Sequence, residues 1–264
     1  MNTDFSLFTY PILSQFTELR HFCSTRDGGK SFGHYKSFNI SPFSGDSAVN
    51  QQTNLAILAS QIQIPANQII FPYQTHGNRV KLIDVEYLKL TKKAQSENLS
   101  AVDAVITNLK GICIGVTTAD CVPILIYDAE NKAIAAVHAG WRGTCSRIVE
   151  KTLELMSKSF GTQSSKVYVS IGVSISPEVY SVGEELKTEF EQSQFPIDQI
   201  FISRNNLLFL DLWAANKWLL LKAGVPENQI EISGICTFSN SEKFFSARKL
   251  GVKSGRMLSG IMLK

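Results

Sequence analysis

At 264 residues, with 44% hydrophobic and 19% charged side chains, the chain has the composition of a globular protein with a large core. Its net charge of +3 comes without a lysine or arginine run, which gives a nucleic-acid surface no support. No stretch of about 18 apolar residues exists to span a bilayer, and the opening MNTDFSLFTYPIL lacks the basic, apolar and small-residue regions of a secretory signal. Five cysteines without a CxxC pair argue against a disulfide framework. They fit a reducing cytoplasm, with Cys23, Cys113, Cys145 and Cys236 as core thiols.

In chain order, residues 5–23 predict one or two short strands, with His21 packing at the end. Ser24 to Lys30 is a glycine-rich turn that carries Arg26 and could approach a ligand. His34 falls in a loop. Ser47 to Ile62 has apolar residues at three- and four-residue steps and predicts a helix capped by Asp46 or Ser47. Ile69 to Tyr73 and Val80 to Val85 predict strands, and Gln74-Thr75-His76-Gly77 places His76 at a strand end ahead of a glycine turn. Residues 86–101 are polar and predicted irregular. Val102 to Ile106 and Ile112 to Val116 predict short buried strands. Cys145 to Phe160 predicts an amphipathic helix stopped by Gly161, and Val167 to Val173 another strand. Glu184 to Gln192 and Leu212 to Ala223 predict helices. Ile230 to Ile235 and Leu258 to Leu263 predict strands around a cationic loop with Arg248, Lys249, Lys253 and Arg256. Strands and helices mix without strict βαβ alternation, which predicts a single α+β domain over residues 1–264, a mixed β-sheet flanked by helices.

The stretch Thr117 to Thr144 reads as a hairpin. Val122 to Tyr127 and Lys132 to Val137 are its arms, and Asp128 to Asn131 its turn. A register that pairs Tyr127 with Lys132 also pairs Cys121 with His138, with Cβ atoms roughly 4.5–5.5 Å apart. A thiol facing an imidazole is either two ligands of one metal or a nucleophile with its base. It can also be inert core packing. Three neighbours favour a site. Asp120 could orient a ligand or move a proton. Gly140 and Gly143 bracket Trp141-Arg142. A helix starting near Thr144 would present free N–H groups to an anion. His76 is a candidate third ligand.

ADCVP and AVHAGWRGT, preceded by QTHG, resemble the laccase-domain family, whose members are described as multicopper polyphenol oxidases and as zinc-associated purine nucleoside phosphorylases. STRDGGKSFGHYKSFN, DLWAANKWLLLKAGV and ICTFSNSEKFFSARKLGVKSGR extend the resemblance over nearly the whole chain. It implies metal ligands at His76, Cys121 and His138. The chain departs from the family pattern at Gly172-Val173-Ser174-Ile175, at Tyr180-Ser181-Val182-Gly183 and at Phe244 to Lys249.

A His₂Cys set leaves the fourth position of zinc open, as in catalytic sites, and copper is possible with the same donors. Multicopper oxidation would need more ligands than four histidines supply. The resemblance therefore implies phosphorolysis of purine nucleosides such as adenosine, inosine or methylthioadenosine, with phosphate as second substrate and adenosine deamination as a related activity. Cys121, Asp120 and Arg142 are the catalytic candidates. Arg26, Arg142, Thr144 and Arg248 are candidates for substrate binding, with Arg142 and Thr144 as the phosphate holders. Two rivals are a Cys-His hydrolase or amidase acting on peptidoglycan precursors and a non-enzymatic metal-binding domain. Oligomeric state is open.

Overall fold

The computed structural model describes residues 5–264 and contains two large mixed sheets stacked face to face. One has six strands in the order Ile230–Ile232, Val167–Ile171, Val122–Asp128, Ala133–Ala139, Ala104–Thr107, Val80–Leu82. The other has five, in the order Leu7–Phe8, Leu19–Ser24, Met257–Leu263, Cys113–Thr118, Ile69–Ile70. Parallel pairs occur at Ile230–Ile232 with Val167–Ile171, at Val80–Leu82 with Ala104–Thr107 and at Ile69–Ile70 with Cys113–Thr118; the other pairings are antiparallel. The α+β architecture expected from the sequence is present, built from two large sheets and a small three-stranded one where a single sheet was expected.

Strand alternation sorts the core into layers. Val122, Ile124 and Ile126 face the helices Ile148–Phe160 and Leu212–Lys222, together with Ala135 and Val137. Leu125, Tyr127, Ile134 and Ala136 point the other way, toward Ile114, Val116 and Ile261 of the second sheet. The far face of that sheet, with Phe22, Leu258 and Met262, is covered by Leu58, Ala59 and Ile62 from the helix Ala48–Gln61 and its end. The result is helix, sheet, sheet, helix. Every residue of both central hairpin strands is buried, as a sheet covered on both faces requires.

Three local features differ from the sequence reading. The helix expected over Cys145 to Phe160 is two helices, Trp141–Cys145 and Ile148–Phe160, separated by Arg147 in the left-handed region at φ 62°. The Arg147 guanidinium holds the break in place: it donates to Glu150 at 2.9 Å and the Ser193 carbonyl at 2.8 Å, and lies over the Phe195 and Trp218 rings. The stretch 86–101 is helical over Val85–Lys89 and Lys92–Asn98, because Asp84 and Thr91 accept the first free amides. Phe201–Arg204 and Leu207–Leu210 form a further hairpin joined by Asn205-Asn206, both at positive φ. Such a two-residue turn needs left-handed residues, and asparagine tolerates that conformation. The helix Leu212–Lys222 starts as expected, with the Asp211 side chain accepting from the Ala214 amide at 2.8 Å. No described helix is long and apolar enough to cross a membrane.

Candidate metal centre and its cavity

The central hairpin pairs Tyr127 with Ile134 and Pro123 with His138, a register two residues from the expected one. The four-residue loop is Ala129 to Lys132, one position later than expected. Asp128 belongs to the strand. Its buried carboxylate accepts from the amides of Glu130 and Asn131, each at 3.0 Å, and from the Asn131 side chain at 2.9 Å. Lys132 then closes the loop at φ 51°. A shift of two leaves each side chain on its face, whereas a shift of one would have reversed it. Continued outward, this register sets Cys121 across from Gly140, with His138 on the diagonal. Diagonal neighbours are still within side-chain reach.

His76 completes the set. One ligand atom from each of His76, Cys121 and His138 lies within 4.8 Å of the others, and the two imidazole centroids are 4.9 Å apart. Gly140 makes the approach possible. A Cβ there would stand 3.0 Å from the Cys121 sulfur and 3.2 Å from His76 Cδ2.

Asp103, fully buried on the strand Ala104–Thr107 side of the hairpin, ties these residues together. It accepts from His138 Nδ1 at 2.8 Å and from the backbone amides of Thr75, His76 and Gly77 at 3.2, 2.9 and 2.8 Å. One carboxylate thus orients the His138 ring and holds the loop that carries His76, itself at φ 62°. With Nδ1 committed to Asp103, Nε2 is the nitrogen left for an ion. Such an outer partner is the usual companion of a metal-binding histidine. Gln74 adds a second tie, accepting from the Thr117 amide at 2.8 Å and donating to the Thr117 carbonyl at 2.8 Å. Sequence reasoning passed over Asp103 as part of an apolar strand. The signal available was a carboxylate in a run otherwise fit only for burial.

The electrostatics follow from this packing. Burial opposes ionisation of the Cys121 thiol, but His138 and His76 outweigh it and bring the thiol down to about 6. Burial likewise disfavours the imidazolium of His138. The Cys121 thiolate and the Asp103 carboxylate overcome that and raise it to about 9. Asp103 is pushed up by burial, yet His138 and the amides of Gly77 and Thr75 leave it below the usual carboxylate range. A thiolate and two imidazoles within ligand distance, oriented by a buried carboxylate, suit a soft to borderline transition metal. Among the described residues no other group of three or more potential ligands converges in this way. His21 lies buried against Tyr10 and His34 in a surface turn, so neither extends the set.

The trio sits on the wall of a cavity of about 660 Å³. Asp120, Tyr180, Arg248 and Arg256 share that wall, as do Phe43 and Tyr73. Asp120, at φ 94°, is committed to other partners: it accepts from the Thr237 hydroxyl at 2.6 Å and the Arg248 amide at 2.7 Å. Arg248 lies 5.1 Å from the Tyr180 ring centroid and donates to the Ser181 carbonyl at 3.1 Å. Arg256, a cation of the loop that the sequence does not connect to the site, has its guanidinium held by the carbonyls of Ser254, Gly255 and Val252. The remaining sequence candidates stand outside the cavity lining. Arg142 is exposed, 4.1 Å from the Trp141 ring. Thr144 is fully buried and accepts from Asn216 at 3.0 Å. Arg26 donates to the carbonyls of Lys36 and Ser241 and lies over Phe245.

A family model described as multi-copper polyphenol oxidoreductase laccase matches residues 20–264. A purine nucleoside phosphorylase of Bacteroides thetaiotaomicron is 43% identical over 98% of this chain and 97% of its own. Adenosine deaminase RL5, from an unknown prokaryotic organism, is 36% identical over 92% and 93%. The crystal structure of the hypothetical protein YfiH of Bacillus licheniformis superposes with a TM-score of 0.90 at 26% identity, covering 98% of this chain and 97% of that one.

Proposed function

The chain belongs to the multi-copper polyphenol oxidoreductase laccase family, and on that premise we propose that it is a zinc-dependent purine nucleoside phosphorylase with an associated adenosine deaminase activity. The observation that carries the reading is the convergence of His76, Cys121 and His138 on the wall of a cavity that also presents Arg248 and Arg256. Three donors leave a position open to substrate. A zinc ion held there would act as a Lewis acid toward a substrate oxygen or nitrogen. Two histidines and one thiolate do not make a multicopper cluster, so polyphenol oxidation is the weaker reading of the same site.

In phosphorolysis a phosphate oxygen bonds to the ribose anomeric carbon, and the bond from that carbon to the purine breaks. The base leaves with the bonding pair and takes up a proton at a ring nitrogen. Arg248 and Arg256 hold the phosphate, since a guanidinium matches its oxygens in pairs. Asp120 acts at one remove, fixing Arg248 through the backbone and Thr237 through its hydroxyl. Asp103 fixes His138 and the His76 loop. The place of Arg248, a candidate on the sequence, and of Arg256 on the cavity wall supports them over Arg142 and Thr144 as the anion holders. The free thiols of all five cysteines support a reducing, cytoplasmic setting.

Incubation of the zinc-loaded protein with inosine or adenosine and phosphate is expected to release free base and ribose 1-phosphate, and inosine from adenosine. Release that survives Cys121→Ala rejects the assignment. A second reading, a Cys-His hydrolase acting on peptidoglycan amides, draws on the lowered Cys121 thiol beside a raised, carboxylate-held His138. An acyl-enzyme burst from metal-free protein would select it.

A further inference from the structure

Phe43 and Tyr73 are large aromatic side chains left 52% and 45% exposed, yet they touch each other edge to face with centroids 4.7 Å apart. Single exposed aromatics are ordinary on a protein surface. These two come from separate segments and meet on the wall of the cavity that holds His76, Cys121 and His138. We propose that they form a stacking platform for the purine ring, an assignment that rests on the nucleoside reading of the cavity.

Both segments that carry the rings are held before any ligand arrives. The Phe43 loop is tied by Asn39, which donates to Ser44 Oγ at 2.8 Å and Asp46 at 3.1 Å, and by Tyr35, whose hydroxyl donates to the Ser44 carbonyl at 3.0 Å. The same Asn39 accepts from the amide of Arg256 at 2.9 Å, so the loop is registered against one of the proposed phosphate holders. The Tyr73 amide donates to the Leu99 carbonyl at 3.0 Å, and its carbonyl accepts from the Val102 amide at 3.3 Å. Tyr73 stands three residues before His76, in the segment that Gln74 and Asp103 clamp. The aromatic edge is therefore fixed relative to the metal ligands. A preorganised apolar edge gains affinity because little side-chain freedom is lost on binding. A purine offers a broad π-face to it, and base-aromatic stacking does not depend on the exocyclic groups. The platform therefore accepts adenine and hypoxanthine alike.

The test measures binding apart from turnover. Adenosine binding to zinc-loaded wild type, Phe43→Leu, Tyr73→Leu and Tyr73→Phe is followed by calorimetry, with zinc content and Tm recorded for each. Leucine keeps an apolar side chain at these exposed positions and removes the π-face. Each leucine variant is expected to raise the adenosine Kd by on the order of tenfold or more, with zinc content and Tm unchanged, and Tyr73→Phe is expected to restore it. Leucine variants that bind adenosine as tightly as wild type overturn the platform. Wild type that binds adenosine through these rings but forms no ribose 1-phosphate keeps the platform and overturns phosphorolysis. Wild type that does not bind adenosine overturns both.

Discussion

The two ends of the central hairpin use the same device for different purposes. At the closed end the buried Asp128 accepts three hydrogen bonds, all from its own turn. At the open end the buried Asp103 accepts three amides from the loop Thr75 to Gly77 and a fourth bond from His138. Each carboxylate escapes the cost of burial by filling its acceptor sites. Asp128 closes a local loop and contributes only structure. Asp103 joins segments far apart in sequence and, in doing so, brings two imidazoles to one thiolate. The chemistry of the protein resides in that difference of range.

Substitutions at the two ends should separate these roles. The largest effect is expected at the ligands. Cys121→Ala or His138→Ala should lower zinc affinity and ribose 1-phosphate formation by more than the roughly 10–100-fold typical of an outer partner, measured by elemental analysis and by product assay. Asp103→Asn should fall within that 10–100-fold range for zinc affinity. A loss equal to that of the ligand variants would mean that Asp103 does more than orient His138.

A second comparison sets His138 against His21. His138 has a carboxylate and a thiolate beside it and is raised to about 9. His21 is buried with its Nε2 against the Tyr10 backbone and is lowered to about 4, chiefly by burial. A histidine with a depressed folded value stabilises the fold fully above its unfolded value of about 6.5 and loses that contribution as pH falls toward 4. The loss should reach about 3 kcal/mol. Urea unfolding between pH 7 and pH 4 should show that acid-side slope, and His21→Gln should flatten it. An equal slope in both proteins would place the acid sensitivity elsewhere. The smallest effect is expected at the closed end, where Asp128→Ala should cost about 1–3 kcal/mol of stability from unpaired turn amides and leave zinc content unchanged.

How much was legible in the sequence follows the same division of range. The hairpin, the faces of its residues and the convergence of Cys121 with His138 were readable because strand periodicity is local. The register missed by two, since Asp128 to Asn131 and Ala129 to Lys132 are equally good turns until Asp128 is seen gripping the loop. His76 could be suspected but not placed, because the link is Asp103, across a parallel and an antiparallel strand pairing. Gly140 reads in sequence as a bracket of Trp141-Arg142, whereas in the fold a side chain there would crowd the Cys121 sulfur. Arg142 and Thr144 were favoured because a helix start was expected near them. The break at Arg147 turns that segment into a short helix whose Thr144 is buried against Asn216. Arg256, Phe43 and Tyr73 reach the cavity only through tertiary contacts.

The most direct measurement is the metal content of protein purified without added metal, by elemental analysis, for wild type and Cys121→Ser. A site formed by His76, Cys121 and His138 predicts about one zinc per chain in wild type and almost none in the variant. Wild type free of metal after exposure to zinc, or a variant that retains zinc at wild-type level, would contradict it.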